Sequence, residues 1–252
     1  MILMIDLNAD LGEDESPAGI MRDIAIMDVV SSCNIATGGH AGSLKSIRTM
    51  LTAAKANAIA PGAHPSYPDR AGFGRTSMDI SLADLETSLT EQLRAIAVIA
   101  AEVGVSLTHI KPHGALYNDA QDNPKLSSLL VDIATRARLP LVGMAGSLIQ
   151  RKASEQKIAF IAEAFIDRRY SEKGRLVPRS EAGAVIADED DRIQQGLCLA
   201  KGTALTTQNG TPLTVETQSL CLHSDSNGAL ETAKKMRMTL EQAGISIGPV
   251  RP

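Results

Sequence analysis

The sequence predicts an α/β protein, a seven-stranded parallel β/α barrel of the TIM-like type. Short apolar segments alternate with longer amphipathic ones along the whole chain of 252 residues. Strict alternation of strands and helices favours a parallel sheet that closes into a barrel. Most of the histidines fall at the carboxyl ends of the apolar segments, where barrels of this kind carry their active sites.

The predicted strands are short segments rich in aliphatic residues. They cover residues 2–9, 29–36, 58–64, 106–113, 139–145, 159–166 and 215–223. The predicted helices lie near residues 18–28, 43–57, 81–103, 115–138, 147–156, 182–201 and 227–243. The third helix starts at Ser81, with Asp84 in a capping-box arrangement, and ends at Gly104, a natural C-cap. The chain thus divides into a series of strand–helix units.

Residues 204–215, "ALTTQNGTPLTV", interrupt this alternation. Asn209-Gly210 lies between two β-prone runs, which is typical of a tight hairpin turn. We expect a small β-hairpin insertion here, before the last strand of the barrel. No linker or internal repeat divides the chain, so a single domain over residues 1–252 is expected.

The composition narrows the class of protein. Hydrophobic residues make up 44% of the chain and aromatic residues 2%, so the core should be aliphatic. The net charge of −4 gives no reason to expect a nucleic acid or an anionic membrane as partner. Three widely separated cysteines argue against a disulfide framework and against a zinc ribbon. Asp6 interrupts the apolar N-terminus and no apolar run approaches a membrane span, so a cytoplasmic protein is expected.

Four of the five histidines lie at or just after the carboxyl end of a predicted strand. They are His40 after the second strand, His64 at the end of the third, His113 at the end of the fourth and His223 at the end of the seventh. A single histidine at a strand end is more often a hydrogen-bonded structural residue. Asp6, deep in its strand, fits that structural description, whereas for His109, similarly placed, the structural and functional interpretations both stay open. The convergence of several strand ends favours a functional site.

Other polar residues accompany these histidines. Asn8 and Asp10 share one face of the first strand, because residues two apart in a strand point the same way. The predicted catalytic residues are Asp10, His40, His64, Lys111 and His113. The predicted substrate-binding residues are Asn8, Glu13, Arg70, Arg75, Glu163, Asp167, Arg168, His223 and Asp225.

Two loops concentrate positive charge on the same side of the predicted barrel. "PSYPDRAGFGRT" follows the third strand and "RRYSEKGRLVPR" follows the sixth. Arginine side chains match the geometry of carboxylates and phosphates, so a small anionic substrate is expected. The alternative is a pair of solvated loops with surface ion pairs.

Asp10, His40 and His64 also form a plausible triad for a divalent metal, with one carboxylate and two imidazoles. The same three residues could act without a metal, as general acid and base. Sequence spacing leaves both interpretations open. The glycine-rich stretch at residues 39–46 lacks the spacing of a phosphate loop, so no local motif supports ATP binding.

Six stretches of the chain resemble, in order, the blocks of the LamB/YcsF family. They are "DLNADLGE" (6–13), "CNIATGGHAG" (33–42), "HPSYPDRAGFGRT" (64–76), "HIKPHGALYN" (109–118), "DRRYSEKGRLVPR" (167–179) and "LCLHSDSNGA" (220–229). This resemblance covers nearly the whole chain. It implies a β/α barrel of the glycoside hydrolase/deacetylase type, in agreement with the strand count.

The resemblance also implies an activity, the ATP-dependent hydrolysis of 5-oxoproline to L-glutamate, with ADP and phosphate as the other products. ATP would be a co-substrate, bound with or by two partner subunits, 5-oxoprolinase subunits B and C. The chain departs from the family pattern around two histidines. It has Thr37, Gly39 and Ser43 where the family has Cys, Phe and Asp, and Ser224, Ser226 and Asn227 where the family has Gly, Thr and Pro. A related lactam or amide substrate therefore stays open.

Two other functions also stay open. The fold type would allow a metal-dependent deacetylase or amidohydrolase acting on another small lactam or an N-acetyl substrate. Sugar sites usually stack rings on aromatic side chains, however, and this chain has no Trp, three Tyr and three Phe. The non-enzymatic alternative is a substrate-binding subunit whose partners carry out all the chemistry. Acid–base groups at several strand ends favour an enzyme.

Overall fold

The computed structural model describes residues 3–222 and 228–251. Its strands are β1 Met4–Leu11, β2 Ser32–Ala36, β3 Ala60–His64, β4 Leu141–Met144, β5 Phe160–Phe165, β6 Leu205–Thr206, β7 Pro212–Leu213, β8 Ser219–Leu222 and β9 Ser246–Ile247. Its helices are α1 Pro17–Met27, α2 Leu44–Ala56, α3 Leu82–Val103, α4 Gly114–Ala120, α5 Pro124–Ala137, α6 Leu148–Glu155, α7 Glu189–Lys201 and α8 Ala229–Gln242.

The main sheet contains six parallel strands in the order β3, β2, β1, β8, β5, β4. Strand β9, which the sequence pattern did not predict, adds a parallel pair with the start of β1. Helices alternate with the strands along the chain. These features confirm the predicted parallel β/α architecture and are consistent with a TIM-like fold.

The segment 106–113, predicted as the fourth strand, lies between the two edge strands β3 and β4. Ile110 forms isolated parallel bridges with Ala63 of β3 and Leu141 of β4. Pro112 and Pro140 have no N–H to donate, so the ladder with β4 cannot extend far in either direction. The predicted fourth strand is thus reduced to bridges at Ile110, together with backbone hydrogen bonds from Thr108, Lys111 and His113 to the β3 side, and the described sheet closes there.

Two predicted helices differ from the observed ones. The helix predicted over 115–138 is divided into α4 and α5, because Asn123 caps a new helix with its side chain and Pro124 occupies its first position. The helix predicted over 182–201 begins only at Glu189, where the side chain of Asp188 accepts a hydrogen bond from a backbone N–H. In both cases a capping residue, rather than the apolar pattern, sets the start of the helix.

Residues 204–215 contain the antiparallel pair β6 and β7, with Leu205 opposite Leu213. The turn between them is tied by backbone hydrogen bonds, from Thr207 N to Thr211 O and from Gly210 N to Thr207 O.

The side chains of β1 alternate between two environments. The odd-numbered residues from Ile5 to Leu11 belong to the main apolar core, which we call the apolar shell, between the strands and the helices. Asp6, Asn8 and Asp10 instead bond to polar side chains of the strands β2 and β5. We call this second set the polar column; its buried members are Asp6, Asn8, Asp10, Ser32, Asn34, His109, Lys111, Glu163 and Ser219. Among the described residues, none of the helices combines the length and the apolar character that a membrane crossing requires.

Candidate active site

Four side chains meet at the carboxyl end of the barrel strands, and we call them the histidine cluster: Glu13, His40, His64 and His113. Glu13 Oε1 lies 3.0 Å from His40 Nε2 and 3.4 Å from His113 Nδ1. His113 Nδ1 also lies 3.0 Å from His64 Nε2. One potential ligand atom of each residue lies within 4.8 Å of the others. Three strand ends and the start of α4 thus bring four donor groups to one point.

In two histidines of the cluster, one ring nitrogen faces the other cluster members and the other faces away; we call them the inner and the outer nitrogen. Both outer nitrogens are hydrogen-bonded to backbone carbonyls. His64 Nδ1 lies 2.7 Å from the carbonyl oxygen of Lys111, and His113 Nε2 lies 3.0 Å from that of Phe73. A carbonyl oxygen only accepts, so each outer nitrogen carries the N–H and donates. In neutral rings the inner nitrogens, His64 Nε2 and His113 Nδ1, then both carry lone pairs and face each other.

Ring contacts hold the histidines in place. His40 stacks on His113 with ring centroids 3.6 Å apart and an interplanar angle of 3°. Phe73 meets both rings edge-on, with centroids at 5.3 and 5.5 Å. Burial, with His64 as the next cause, lowers the pKa of His40 to about 2. Burial also holds the pKa of His113 well below its ordinary value, so both rings are neutral at neutral pH.

Lys111 forms the charged part of the site. Its Nζ donates to Asp10 Oδ1 and Glu163 Oε1, each at 2.8 Å, and to Cys221 Sγ at 3.2 Å. Asp10 Oδ2 lies 3.5 Å from His64 Nε2, so this carboxylate connects the lysine to the histidine cluster. Burial disfavours the ammonium group, but Asp10, Cys221 and Glu163 outweigh it, and the pKa of Lys111 lies well above its ordinary value. Lys111 is therefore a buried cation.

A glycine contact positions the loop after β3 over the cluster. The Ala115 N–H donates to the carbonyl of Gly74 at 2.9 Å. Gly114 has a φ of +58°, and a Cβ at this position would lie 2.4 Å from the Gly74 carbonyl oxygen. Only glycine permits both the left-handed conformation and this approach. The neighbouring Phe73 carbonyl is thereby held where it accepts the hydrogen bond of His113.

A pocket of about 590 Å³ opens onto the site. Asp10, Glu13, His64, Lys111 and His113 line it, together with four arginines from the two predicted loops: Arg75, Arg168, Arg175 and Arg179. Arg175 pairs in a bidentate manner with Asp122, with both N–O distances at 2.8 Å. The pocket therefore joins the histidine cluster to a wall that carries four arginines, one of them paired with Asp122, and arginine side chains suit a small anionic molecule.

The structure brings together the five residues that the sequence predicts to be catalytic. Glu13, predicted to bind substrate, lies within the histidine cluster. Asn8 and Glu163 lie in the polar column, where Asn8 Nδ2 donates to Glu163 Oε1 at 3.0 Å. Asp167 is buried just after β5.

The predicted substrate-binding arginines are placed differently from one another. Arg75 and Arg168 line the pocket, whereas Arg70 is not among its lining residues. Arg70 Nη1 donates to the carbonyls of Gly38 and Gly42, at 3.0 and 2.7 Å, and so ties down the loop that carries His40. The remaining two predicted residues, His223 and Asp225, lie outside the described residues.

The group of residues with metal-ligand spacing differs from the predicted triad. It contains His40 and His64, as predicted, with Glu13 and His113 instead of Asp10. Asp10 Oδ1 accepts hydrogen bonds from Asn34 and Lys111, so this carboxylate is engaged with the polar column.

Three contributors to the site were not predicted from the sequence. Asn34 donates to Asn8 and Asp10, and its position two residues after Ser32 on β2 is the periodic signal that could have identified it. Cys221 contacts Lys111 from a strand whose sequence is largely apolar. Phe73 acts through its carbonyl, and a backbone acceptor has no signature in the side-chain sequence.

The fold and the site together define a class of protein, a parallel β/α barrel with a buried histidine–carboxylate centre at the carboxyl ends of its strands. A family 4 carbohydrate esterase from Streptomyces lividans shares the fold, with a TM-score of 0.53 and 13% identity over 99% of this chain and 93% of that one. At this identity the likeness concerns the fold alone.

Sequence comparison then places the chain within one family. Residues 5–252 match the LamB/YcsF family, and the chain belongs to it. The A subunit of the 5-oxoprolinase from Streptomyces griseus is 39% identical over 246 residues, which cover 97% of this chain and 98% of that protein. The crystal structure of a lactam utilization protein from Thermus thermophilus is similar over 98% of this chain and 100% of that one, with 33% identity and a TM-score of 0.88. The resemblance seen in the sequence is confirmed.

Proposed function

We propose that this chain is the A subunit of an ATP-dependent 5-oxoprolinase, which hydrolyses the lactam of 5-oxoproline to L-glutamate with ADP and phosphate. The observation that carries the proposal is the position of Asp10 between Lys111 and His64 in an arginine-lined pocket. The names of the full-length relatives support the substrate. They also support partner subunits, for which we propose B and C.

The chemistry of the substrate explains the need for ATP. A five-membered lactam is a stable amide, and its carbonyl carbon reacts slowly with water at neutral pH. Phosphorylation of the lactam oxygen would activate the ring carbon towards water. After water adds, the ring C–N bond would break with a proton going to the nitrogen, and hydrolysis of the resulting acyl phosphate would release L-glutamate and phosphate. The chain has no phosphate loop, so we propose that ATP binds with or in the partner subunits. Because the reaction consumes ATP, we propose the cytoplasm as its location.

The residues of the site suit addition of water to the activated ring carbon. Asp10 would accept a proton from the attacking water, because its carboxylate lies 3.5 Å from His64 at the pocket wall. The charged Lys111 would stabilise the negative charge that develops on oxygen in the transition state. His113, with its outer nitrogen held by the Phe73 carbonyl, would keep a fixed orientation towards the reacting atoms.

The anionic end of the substrate needs its own partner. Arg70, the first candidate from the sequence, is bound to the carbonyls of Gly38 and Gly42. Arg75 lines the pocket beside the histidine cluster, with its guanidinium 4.7 Å from the Phe73 ring centroid. We therefore assign the substrate carboxylate to Arg75.

The test is glutamate formation from 5-oxoproline and ATP by the reconstituted three-subunit complex. We expect glutamate only when this chain and both partners are present. His113→Ala should reduce turnover by more than about 100-fold, because it removes an oriented group from the reacting centre. Lys125→Ala, at an exposed position on α5, is the control that should keep full activity.

Other outcomes would contradict the proposal in distinguishable ways. ATP hydrolysis without glutamate would indicate a different lactam as the substrate. Binding of 5-oxoproline with no turnover by the complete complex would indicate a substrate-binding subunit. Normal turnover by His113→Ala would remove that residue from the mechanism.

A further inference from the structure

We propose that Glu13, His40, His64 and His113 bind one divalent metal ion of the zinc class. This inference concerns the binding of a cation and does not depend on the identity of the organic substrate. Three imidazoles and one carboxylate are ligands that Zn²⁺ commonly takes in proteins.

The spacing of the donor atoms matches a small tetrahedral ion. Zinc binds nitrogen and oxygen ligands at about 2.0–2.2 Å, which puts neighbouring ligands of a tetrahedron about 3.3 Å apart. Within the histidine cluster, Glu13 Oε1 lies 3.0 Å from His40 Nε2 and 3.4 Å from His113 Nδ1. His113 Nδ1 lies 3.0 Å from His64 Nε2. These three separations are close to the expected value.

The orientation of the rings gives a second, independent argument. Both His64 and His113 use the outer nitrogen to donate to a backbone carbonyl, of Lys111 and Phe73 respectively. Hydrogen bonds of this kind typically fix metal-bound histidines in the tautomer that directs the inner lone pair at the ion.

The two inner lone pairs also need a positive charge between them. Without one, His64 Nε2 and His113 Nδ1 would repel each other at 3.0 Å. A shared proton would place a net charge on two rings that are 1% and 6% exposed. A divalent ion between the two nitrogens would remove this repulsion and would also bind Glu13 and His40.

The neighbouring polar groups are consistent with this ligand set. Asp10 Oδ1 accepts from both Asn34 and Lys111, while Asp10 Oδ2 lies 3.5 Å from His64 Nε2, so Asp10 borders the cluster with one oxygen and is held in the polar column by the other. His40 Nδ1 is buried and has no hydrogen-bond partner among the described residues, so its inner nitrogen Nε2 is the one that the fold directs at Glu13. The predicted triad of Asp10, His40 and His64 is therefore revised to the histidine cluster.

The experiment measures binding directly, on chelator-treated full-length protein. Isothermal titration with Zn²⁺, and metal analysis after gel filtration, should give about one equivalent per chain. His40→Ala and Glu13→Gln should each weaken binding by more than about 100-fold, since loss of a ligand costs at least as much as loss of an outer-sphere partner. His109→Gln is the matched control, because His109 is buried but bonds to Asn34 in the polar column, and it should retain one equivalent.

A second measurement reports on geometry rather than on affinity. Co²⁺ in place of Zn²⁺ should show the intense visible bands of a four- or five-coordinate ion, and these bands should be lost in His40→Ala. Circular dichroism of each variant separates loss of binding from loss of fold. Substoichiometric binding by the folded wild-type chain, or unchanged binding by folded His40→Ala and Glu13→Gln, would overturn the proposal. Nitrogen NMR showing a proton between His64 and His113 in the presence of excess Zn²⁺ would overturn it as well.

Discussion

The polar column and the apolar shell are built from alternate residues of the same strands, yet they are stabilised by opposite means. On β1, Leu7 and Leu11 are fully buried among aliphatic side chains. Between them, Asn8 and Asp10 are almost as buried but bond to Glu163, Ser219, Asn34 and Lys111. The shell is stabilised by close packing of its apolar side chains, whereas the column is stable only if its buried donors and acceptors have hydrogen-bond partners.

Burial of the polar column costs free energy even where its polar groups are hydrogen-bonded. Asp6 accepts hydrogen bonds from Ser31, Ser32 and Ser219. Burial nevertheless outweighs these three hydroxyls, and the pKa of Asp6 is raised above its ordinary value. A barrel axis filled with branched aliphatic residues would avoid this cost. The difference indicates that the axis is arranged to hold the site, and that the shell supplies the stability.

The largest effect is expected from Lys111→Met, which removes the buried cation between Asp10 and Glu163. Breaking a buried charge pair costs about 3–5 kcal/mol of unfolding free energy, because the remaining charges lose their compensation. Turnover should also be lost, under conditions where the variant is folded. Urea unfolding and the glutamate assay check the two effects.

Leu7→Ala, in the shell of the same strand, is the matched comparison. It should cost about 2–5 kcal/mol through the cavity that it leaves. The folded variant should nevertheless keep its turnover at low temperature. If the two variants lost activity in the same proportion, the division between a structural shell and a functional column would be wrong.

A smaller effect is expected from Gly62→Ala, which tests how tightly the column is packed. A Cβ at this position would lie 2.1 Å from His109 Nε2, the atom that bonds to Asn34 at 2.7 Å. Overpacking should lower the unfolding free energy by about 1–3 kcal/mol, measured by urea denaturation. In the double variant with His109→Ala the clash disappears, so the combined loss should be smaller than the sum. An additive result would show that the column relaxes around the methyl group.

The smallest effect concerns Asp23, a buried carboxylate of α1 on the shell side. It accepts the Gly12 N–H at 2.8 Å, but burial outweighs this bond and raises the pKa of Asp23 from 3.8 to about 6. The folded state then holds the proton more tightly than the unfolded state, so stability falls as the pH rises from about 4 to 6.

Asp23→Asn removes this titration and keeps an acceptor for Gly12. The gain in unfolding free energy over the wild type should be larger at pH 8 than at pH 4, by at most about 3 kcal/mol. Urea denaturation at both pH values checks this, with Asp28→Asn at the exposed end of α1 as the control. A pH-independent difference would show that Asp23 does not titrate in this range.

Much of this arrangement follows from local sequence. The alternation of apolar and amphipathic segments predicts the parallel sheet, and the histidines at strand ends predict where His40, His64 and His113 meet. The pairing of the segment 106–113 is harder to predict. Its apolar pattern is typical of a strand, but Pro112 has no N–H with which to extend the ladder with β4. Helix starts at Pro124 and Glu189 depend on capping residues, which a hydrophobic pattern does not reveal.

The pairing of charges within the site could not be predicted in the same way. Which side chains pair with Asp10 (Lys111 or the histidines) depends on distances between strands that are far apart in sequence. Arg70 illustrates the limit. Its position in a glycine-rich loop suggested a substrate contact, but the carbonyls of Gly38 and Gly42 lie within its reach.

The closing of the barrel at Ile110 has a consequence for motion. The segment pairs with β4 through Ile110 alone among the described residues, and it also carries Lys111 and His113, so its separation from β4 would disrupt the site and the barrel together. Amide hydrogen exchange in residues 106–113 should therefore be faster than in β1, which is paired along both sides. Any molecule that bridges His113 to His64 and His40 would tie this segment to the ends of β3 and β2. Amide exchange in residues 106–113 should then slow when the site is filled.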